Sequence, residues 1–332
     1  MTSGVRPAIG VAVVYLVVLS APFVAPYDPT TQHREHPLAP PTGIHVVDPD
    51  GRVHLRPFVL AAGSDGVPRA YPLRFFTHPS EDGDDDATRS LHLFAVDPPA
   101  AIFLFGTDTL GRDQFSRLLY GGRISLGAGL LAAALALSVG LLFGCVAGFF
   151  GGWIDTAIMG ASDVFMALPW LYLLLAIRAA LPLAVDPGGA LLAIVLVIGI
   201  AGWARPARLV RGVVLSVRTR DFVAAAAASG ASPARVLRSH VVPEAFSVAL
   251  TQASILIPQY TLAEITLSFF GIGIGEPTPS WGTMIGAMLR QELSVAHWWL
   301  AAPAAALVCV SLLYHATADA LQRRSLAIGA AR

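Results

Sequence analysis

Six apolar blocks, residues 9–24, 124–150, 157–176, 190–203, 246–270 and 298–313, recur along this chain of 332 residues and restrict its fold more than any other feature. A bilayer's hydrocarbon core takes about 20 apolar residues as a helix, so blocks of this order read as crossings. Lipid offers the backbone no hydrogen-bond partners, and a helix satisfies its own. The expected fold class is therefore an all-α integral membrane protein with six transmembrane helices. A mean hydropathy of +0.64, with 55% hydrophobic and 13% charged residues, sets the chain apart from soluble domains.

Charge and cysteine content exclude several functions. Net charge is +0, so nothing points to nucleic acid. The chain contains arginine but no lysine, and a phosphate-cradling P-loop needs the lysine ammonium, so ATP cannot be hydrolysed by that route. Cys145 and Cys309 both lie in apolar blocks, which gives neither a disulfide framework nor a clustered metal site. No nucleophile and base, and no metal ligand set, is spaced for catalysis.

The chain divides in order. Residues 1–8 form an N-terminus on the inner side, and 9–25 the first transmembrane helix, retained because no small-residue cleavage pattern follows it. Residues 26–105 change to proline, glycine and charge and hold six of the nine histidines, so they read as a water-exposed extracytoplasmic insert. Alternating runs at 52–60 and 71–76, separated by turn residues at 48–51 and 63–66, predict β-strands within it. The acidic run 81–86 lacks the spacing of a calcium loop and reads as solvated, and the scattered histidines read as surface residues. Residues 106–320 carry five further crossings and an inner loop at 220–245, and 321–332 form a tail. Arg205, Arg208, Arg211, Arg218, Arg220, Arg235 and Arg238 place the loop and both termini in the cytoplasm by the positive-inside rule.

The inner loop is the longest helical text outside the apolar blocks. Asp221 is expected to cap a short helix rich in alanine, Gly230 to end it, and Ser232 with Pro233 to start a second. Five consecutive alanines leave the first helix almost without bulk, so it cannot bury a large apolar face of its own, and another protein can approach its backbone closely. Elsewhere, acids and arginines alternate through 106–123, which favours local ion pairs and caps. Gly140, Gly144 and Gly148 fall on one helical stripe suited to close helix contact. Pro258 is expected to bend or unwind the fifth crossing. Asp163 and Glu264 are acids at membrane depth and so candidate pore or interhelical residues. Glu264 could pair with a substrate amine or hydrogen-bond between helices.

These residues resemble a known family. Ala225, Ala226, Gly230, Ala231, Ser232, His240 and Pro243 stand as in the cytoplasmic loop of permease subunits of ABC importers, in wording most like the dipeptide, oligopeptide and nickel branch. Gly106, Thr107 and Asp108, then Leu110 to Asp113, then Ser116 and Arg117 match the same branch, as do residues 25–29, 151–155, 163–169, 264–271 and 279–282. Three departures stand out: Ala224 where the family has glutamate, Glu244 where it has asparagine, and an insert longer than usual. Near the C-terminus only Asp319 carries over. The resemblance implies that Ala224, Ala225, Ala226, Gly230, Ala231, Ser232, His240 and Pro243 couple to a cleft of an ATPase subunit. It implies half of a translocation pore working by alternating access, with a second permease, ATPase subunits that hold ATP and Mg, an extracytoplasmic solute-binding protein and membrane lipid as partners. No cofactor is implied in this chain. Short peptides are the expected cargo; nickel or another small solute is the alternative within the family, and an ion-coupled secondary transporter using Asp163 and Glu264 the alternative outside it.

Overall fold

The computed structural model describes residues 5–47, 53–62, 68–78, 91–169, 172, 175–176, 186–290 and 295–330. The turns expected at 48–51 and 63–66, the acidic run 81–86 and much of the apolar block 157–176 beyond residue 169 lie outside these residues. The chain forms two compact units, one of Met1–Val11, Ser125–Ile274 and Cys309–Arg332, the other of Ala12–Ile124 and Gly275–Val308.

The first unit is helical. Its long helices are α3 (Gln114–Phe150), α9 (Val242–Phe269) and α11 (Ala302–Ala330), the first and last of which also run into the second unit. Three spans among the described residues, within 114–150, 233–269 and 296–321, are long and apolar enough to cross a membrane. A fourth is a bent pair, α5 (Pro187–Ala201) and α6 (Ala204–Arg218), which meet at 44°. Gly202 and Trp203 make the bend, where Tyr260 donates a 3.1 Å hydrogen bond to the Gly202 carbonyl and Trp203 packs edge-on against Phe143. The glycine stripe explains the packing of α3 on α6. A Cβ placed on Gly144 would lie 2.5 Å from the Ala207 carbonyl oxygen, and one on Gly140 2.5 Å from the Pro206 side chain. Only hydrogen fits there, so the backbones touch. Beside α3, α4 (Gly152–Ala167) is tied to α6 by Arg211, whose guanidinium donates to both oxygens of Asp155 at 2.5 and 2.6 Å.

One helical expectation needs correction. The apolar block from Ile124 lies in a helix that begins ten residues earlier, at Gln114, because Asp113 caps it. The fifth block was expected to bend or unwind at Pro258; it does not unwind, since α9 is one helix from Val242 to Phe269. Proline removes a single N–H, and in a helix of this length neighbouring turns and packing hold the ladder across the gap.

The second unit carries the strands. The apolar helix α1 (Val5–Leu19), which begins in the first unit, leads through Ser20 into the single turn α2 (Ala21–Val24). Strands β1 (Ile44–Val47), β2 (Val53–Ala62) and β3 (Pro68–Pro72) form an antiparallel sheet in that order, with Val59 opposite Tyr71. Strands β4 (Arg74–Thr77) and β5 (His92–Ala95) form a two-stranded sheet with Phe75 opposite Phe94. Val59, Leu73, Phe94, Ala100 and Ile102 are buried together as its core, and Tyr27 packs against them. Helix α10 (Trp281–Arg290) is fixed by Trp281, which donates to the Leu118 carbonyl at 2.9 Å.

Candidate functional site

The 220–245 loop is built by caps. After α6 the chain turns at Arg220, whose N–H bonds the Val217 carbonyl at 3.1 Å, and α7 (Asp221–Ala228) begins. Asp221 therefore sits in the first turn, where its charge faces the positive helix end, and is not the capping residue expected from sequence. At the other end the Ala231 N–H bonds the Ala226 carbonyl at 3.1 Å, while Gly230 has φ +82°. This is a Schellman ending, and its left-handed residue favours glycine because a Cβ would strain the backbone. Ser232 then caps α8 (Pro233–Val236) by accepting from the Arg235 N–H at 3.4 Å. A π-helical turn, Leu237–Val241, joins α8 to α9, with the Val242 N–H bonded to the Leu237 carbonyl. Pro243 accounts for that turn: its ring would strike the Ser239 carbonyl in a regular α-helix, and the wider turn relieves it.

What holds these short helices is a floor of valines. Val223, Val236 and Val241 are buried in one cluster with Val210, Val214 and Val217 of α6, Cys145 of α3, and Ala245 and Ala249 of α9. The sequence reading missed this anchor; α7 does bury a side chain, Val223. These valines belong to different helices and converge only after the chain reverses at Gly230. Above the floor, Ala224, Ala225, Ala228, Ser229, Gly230, Ser232, Pro233 and Ala234 are exposed, flanked by exposed Arg235 and Arg238. Ala226 and Ala231 are half-buried between the two layers, His240 lies 6.0 Å from the Phe222 ring, and Pro243 is exposed. The loop thus presents a surface of methyl groups and backbone on a packed base, with positive charge at its edge.

The two acids expected at membrane depth, Asp163 and Glu264, take part in other contacts. Asp163 on α4 is ion-paired with Arg208 on α6, and Arg208 also donates to Ser162 at 3.0 Å. Glu264 is fully buried and accepts from the Ser268 hydroxyl at 2.7 Å, one turn along the same helix. Among the described residues no three histidine, cysteine or acidic side chains converge as metal ligands.

In the second unit, 106–117 forms a buried ionic cluster. Asp108 accepts from Arg112 Nε at 2.7 Å and from the backbone N–H groups of Leu110 and Arg112 at 2.9 Å. Arg112 and Arg117, both buried, reach one carboxylate from distant sequence, Glu276, at 2.6 and 2.9 Å. The local ion pair was expected; Glu276 was not, since it lies 164 residues beyond Arg112. Asp113 caps α3, accepting from the Ser116 N–H at 2.8 Å and its hydroxyl at 2.6 Å.

Burial pushes the Asp113 carboxyl up to about 6, against the hydrogen bonds from Ser116. A native pKa above the unfolded value means that the native state gains a proton more readily. Asp113 therefore weakens stability as pH rises from about 4 through about 6, by about 3 kcal/mol once fully charged. Asp113→Asn keeps an oxygen for the cap and cannot ionise. Its thermal stability in detergent micelles should improve relative to the native protein across that pH window and run parallel above it. A constant difference at every pH would contradict this.

Comparison with known proteins places the chain among transporters. Residues 140–326 match the family model described as binding-protein-dependent transport system inner membrane component. The dipeptide transport system permease protein DppC of Bacillus subtilis is 36% identical over 226 residues, 68% of each chain. The di/tripeptide transport system permease protein DppC of Pseudomonas aeruginosa is 31% identical over 304 residues, covering 92% of this chain and 81% of that one. Among solved structures, an inward-facing form of the MetNI methionine ABC transporter matches 63% of this chain and 96% of its own, with a TM-score of 0.50 and 19% identity, a likeness of fold.

Proposed function

The chain belongs to the family of binding-protein-dependent transport system inner membrane components, and from that membership we propose that it is the permease subunit of an ABC importer of short peptides. It forms half of a pore with a second permease, receives cargo from an extracytoplasmic binding protein and takes its motion from ATPase subunits that hold ATP and Mg. In this reading there are six crossings: the three long spans, the bent α5–α6 pair, and α1 and α4. Both termini and the 220–245 loop are cytoplasmic. The β-stranded insert is extracytoplasmic.

The observation that carries the coupling role is the smooth outer face of α7 over its valine floor. Ala224, Ala225 and Ala228 let a partner's cleft approach the backbone, with Gly230, Ala231 and Ser232 setting the bend, and His240 and Pro243 the far side of the loop. Force arriving there does not dissipate in a mobile loop. Val223 meets Val210, Val214 and Val217, and the same cluster includes Ala245 and Ala249, so a displacement of α7 drives α6 and α9 together. Asp163 and Glu264 serve packing in this mechanism, Asp163 by pairing α4 with α6.

Reconstitution tests it. Liposomes holding this chain with its partner permease and ATPases should take up a radiolabelled tripeptide only with binding protein outside and MgATP inside, and a nickel salt should not compete. Uptake by this chain alone would overturn the reading.

A further inference from the structure

The insert carries a pair of aromatic side chains whose exposure the transport mechanism does not use. Phe75 and Phe76, adjacent on β4, are 51% and 65% exposed. Phe76 has φ +52°, a left-handed conformation that a bulky residue rarely adopts, so the backbone is held there against its preference. Its ring lies 6.1 Å from that of Phe23.

Phe23 locates the pair. Helices α1 and α2 are continuous through Ser20, whose N–H bonds the Leu16 carbonyl at 3.0 Å and whose carbonyl accepts from Val24 at 2.9 Å. From Val5 to Val24 the helical run rises about 30 Å, the thickness of a bilayer's hydrocarbon core. Val13, Leu16 and Leu19, at 50%, 66% and 60% exposure, form an outward apolar stripe at three-residue steps. Phe23 follows four residues later on the same stripe. Phe76 thus continues, through one ring contact, the lipid-facing side of the first crossing at the depth where aromatic side chains gather in membrane proteins.

We infer that Phe75 and Phe76, with Phe23, anchor the extracytoplasmic insert in the outer lipid interface. The occupant of this patch is the boundary between headgroups and acyl chains. An apolar stripe that ran from the helix onto the insert by chance would leave two phenylalanines in water; set in the interface they hold β4 at the membrane surface. The inference rests on reading α1 as a crossing.

Spin labels distinguish the two claims. In a Cys145→Ala, Cys309→Ala background, Phe76→Cys, Phe75→Cys, Leu16→Cys and Leu55→Cys are each labelled and placed in nanodiscs, and collisions with oxygen and with a water-soluble nickel chelate are compared. Leu55, fully exposed on β2, reports water, and Leu16 reports lipid. The expected oxygen-to-nickel ratio at 75 and 76 is shifted from the Leu55 value toward the Leu16 value. A water-like ratio at both positions with a lipid-like Leu16 overturns the anchor alone. Protection from both reagents overturns it in favour of a protein contact, and a water-like Leu16 overturns the crossing and the anchor together.

Discussion

Replacing Ala225 with tryptophan should abolish ATP-driven import while leaving the permease folded. Ala225 is exposed in the middle of α7, and its methyl group faces away from the valine floor, so the larger side chain meets no atom of this chain's core. Thermal stability in detergent should stay within about 0.5 kcal/mol of the native protein, as for other surface substitutions. The partner meets a different situation. In the proposed coupling, a cleft shaped to receive methyl groups and backbone cannot admit an indole, and expelling α7 from it forfeits the centre of the contact. Losses there run to about 3 kcal/mol, roughly a hundredfold in affinity. Pulldown of the ATPase subunits by the reconstituted permease, and peptide-stimulated ATPase rate, are the readouts. Ala224→Glu is the matched control: it places on the same exposed face the acid that the family resemblance implies at this position, and should retain association. If Ala225→Trp binds the ATPases normally and transports, α7 is not the docking element.

Much of that surface was legible in the sequence because its signals are local. Gly230 ends a helix and Ser232 with Pro233 begins one whatever the rest of the chain does, and both hold in the structure. The four-residue step of Gly140, Gly144 and Gly148 likewise encodes a contact stripe by itself, although not the identity of α6 as the partner. What the sequence concealed depends on three-dimensional convergence. Val223 is one valine beside five alanines and looks negligible until Gly230 reverses the chain and brings Val236 and Val241 beneath it. Pro258 does not unwind its helix for the opposite reason, because a strong local breaker is outweighed by the packing and length of the helix around it. Arginines at 112 and 117 announce ion pairs, and local text supplies Asp108, yet the second carboxylate comes from the far end of the chain.

That second carboxylate sets up an asymmetry with the largest expected effect on stability. Arg112 and Arg117 side chains are 7% and 2% exposed, Asp108 is 9% exposed, and Glu276 is 41% exposed. Two guanidiniums thus face two carboxylates, and only Glu276 has access to water. Arg117→Met removes a buried charge and keeps most of the volume; Glu276 keeps Arg112 and its access to solvent, and Asp108 keeps Arg112. Glu276→Gln does the reverse. It leaves two buried cations on Asp108 alone, and neither can follow its lost partner into water. Breaking a buried pair in this way costs about 3–5 kcal/mol, and solvent access at Glu276 argues for the lower end. The expected order of thermal stability is therefore native, then Arg117→Met, then Glu276→Gln. Adding Arg117→Met to Glu276→Gln should recover part of the loss, since one cation on Asp108 is again matched, and a double-mutant cycle gives the coupling directly. Should both single variants lose the same amount, with the double variant showing their simple sum, the cluster would be a set of independent contacts and not a charge-balanced unit holding Glu276 to Arg112 and to Arg117 in the first turn of α3.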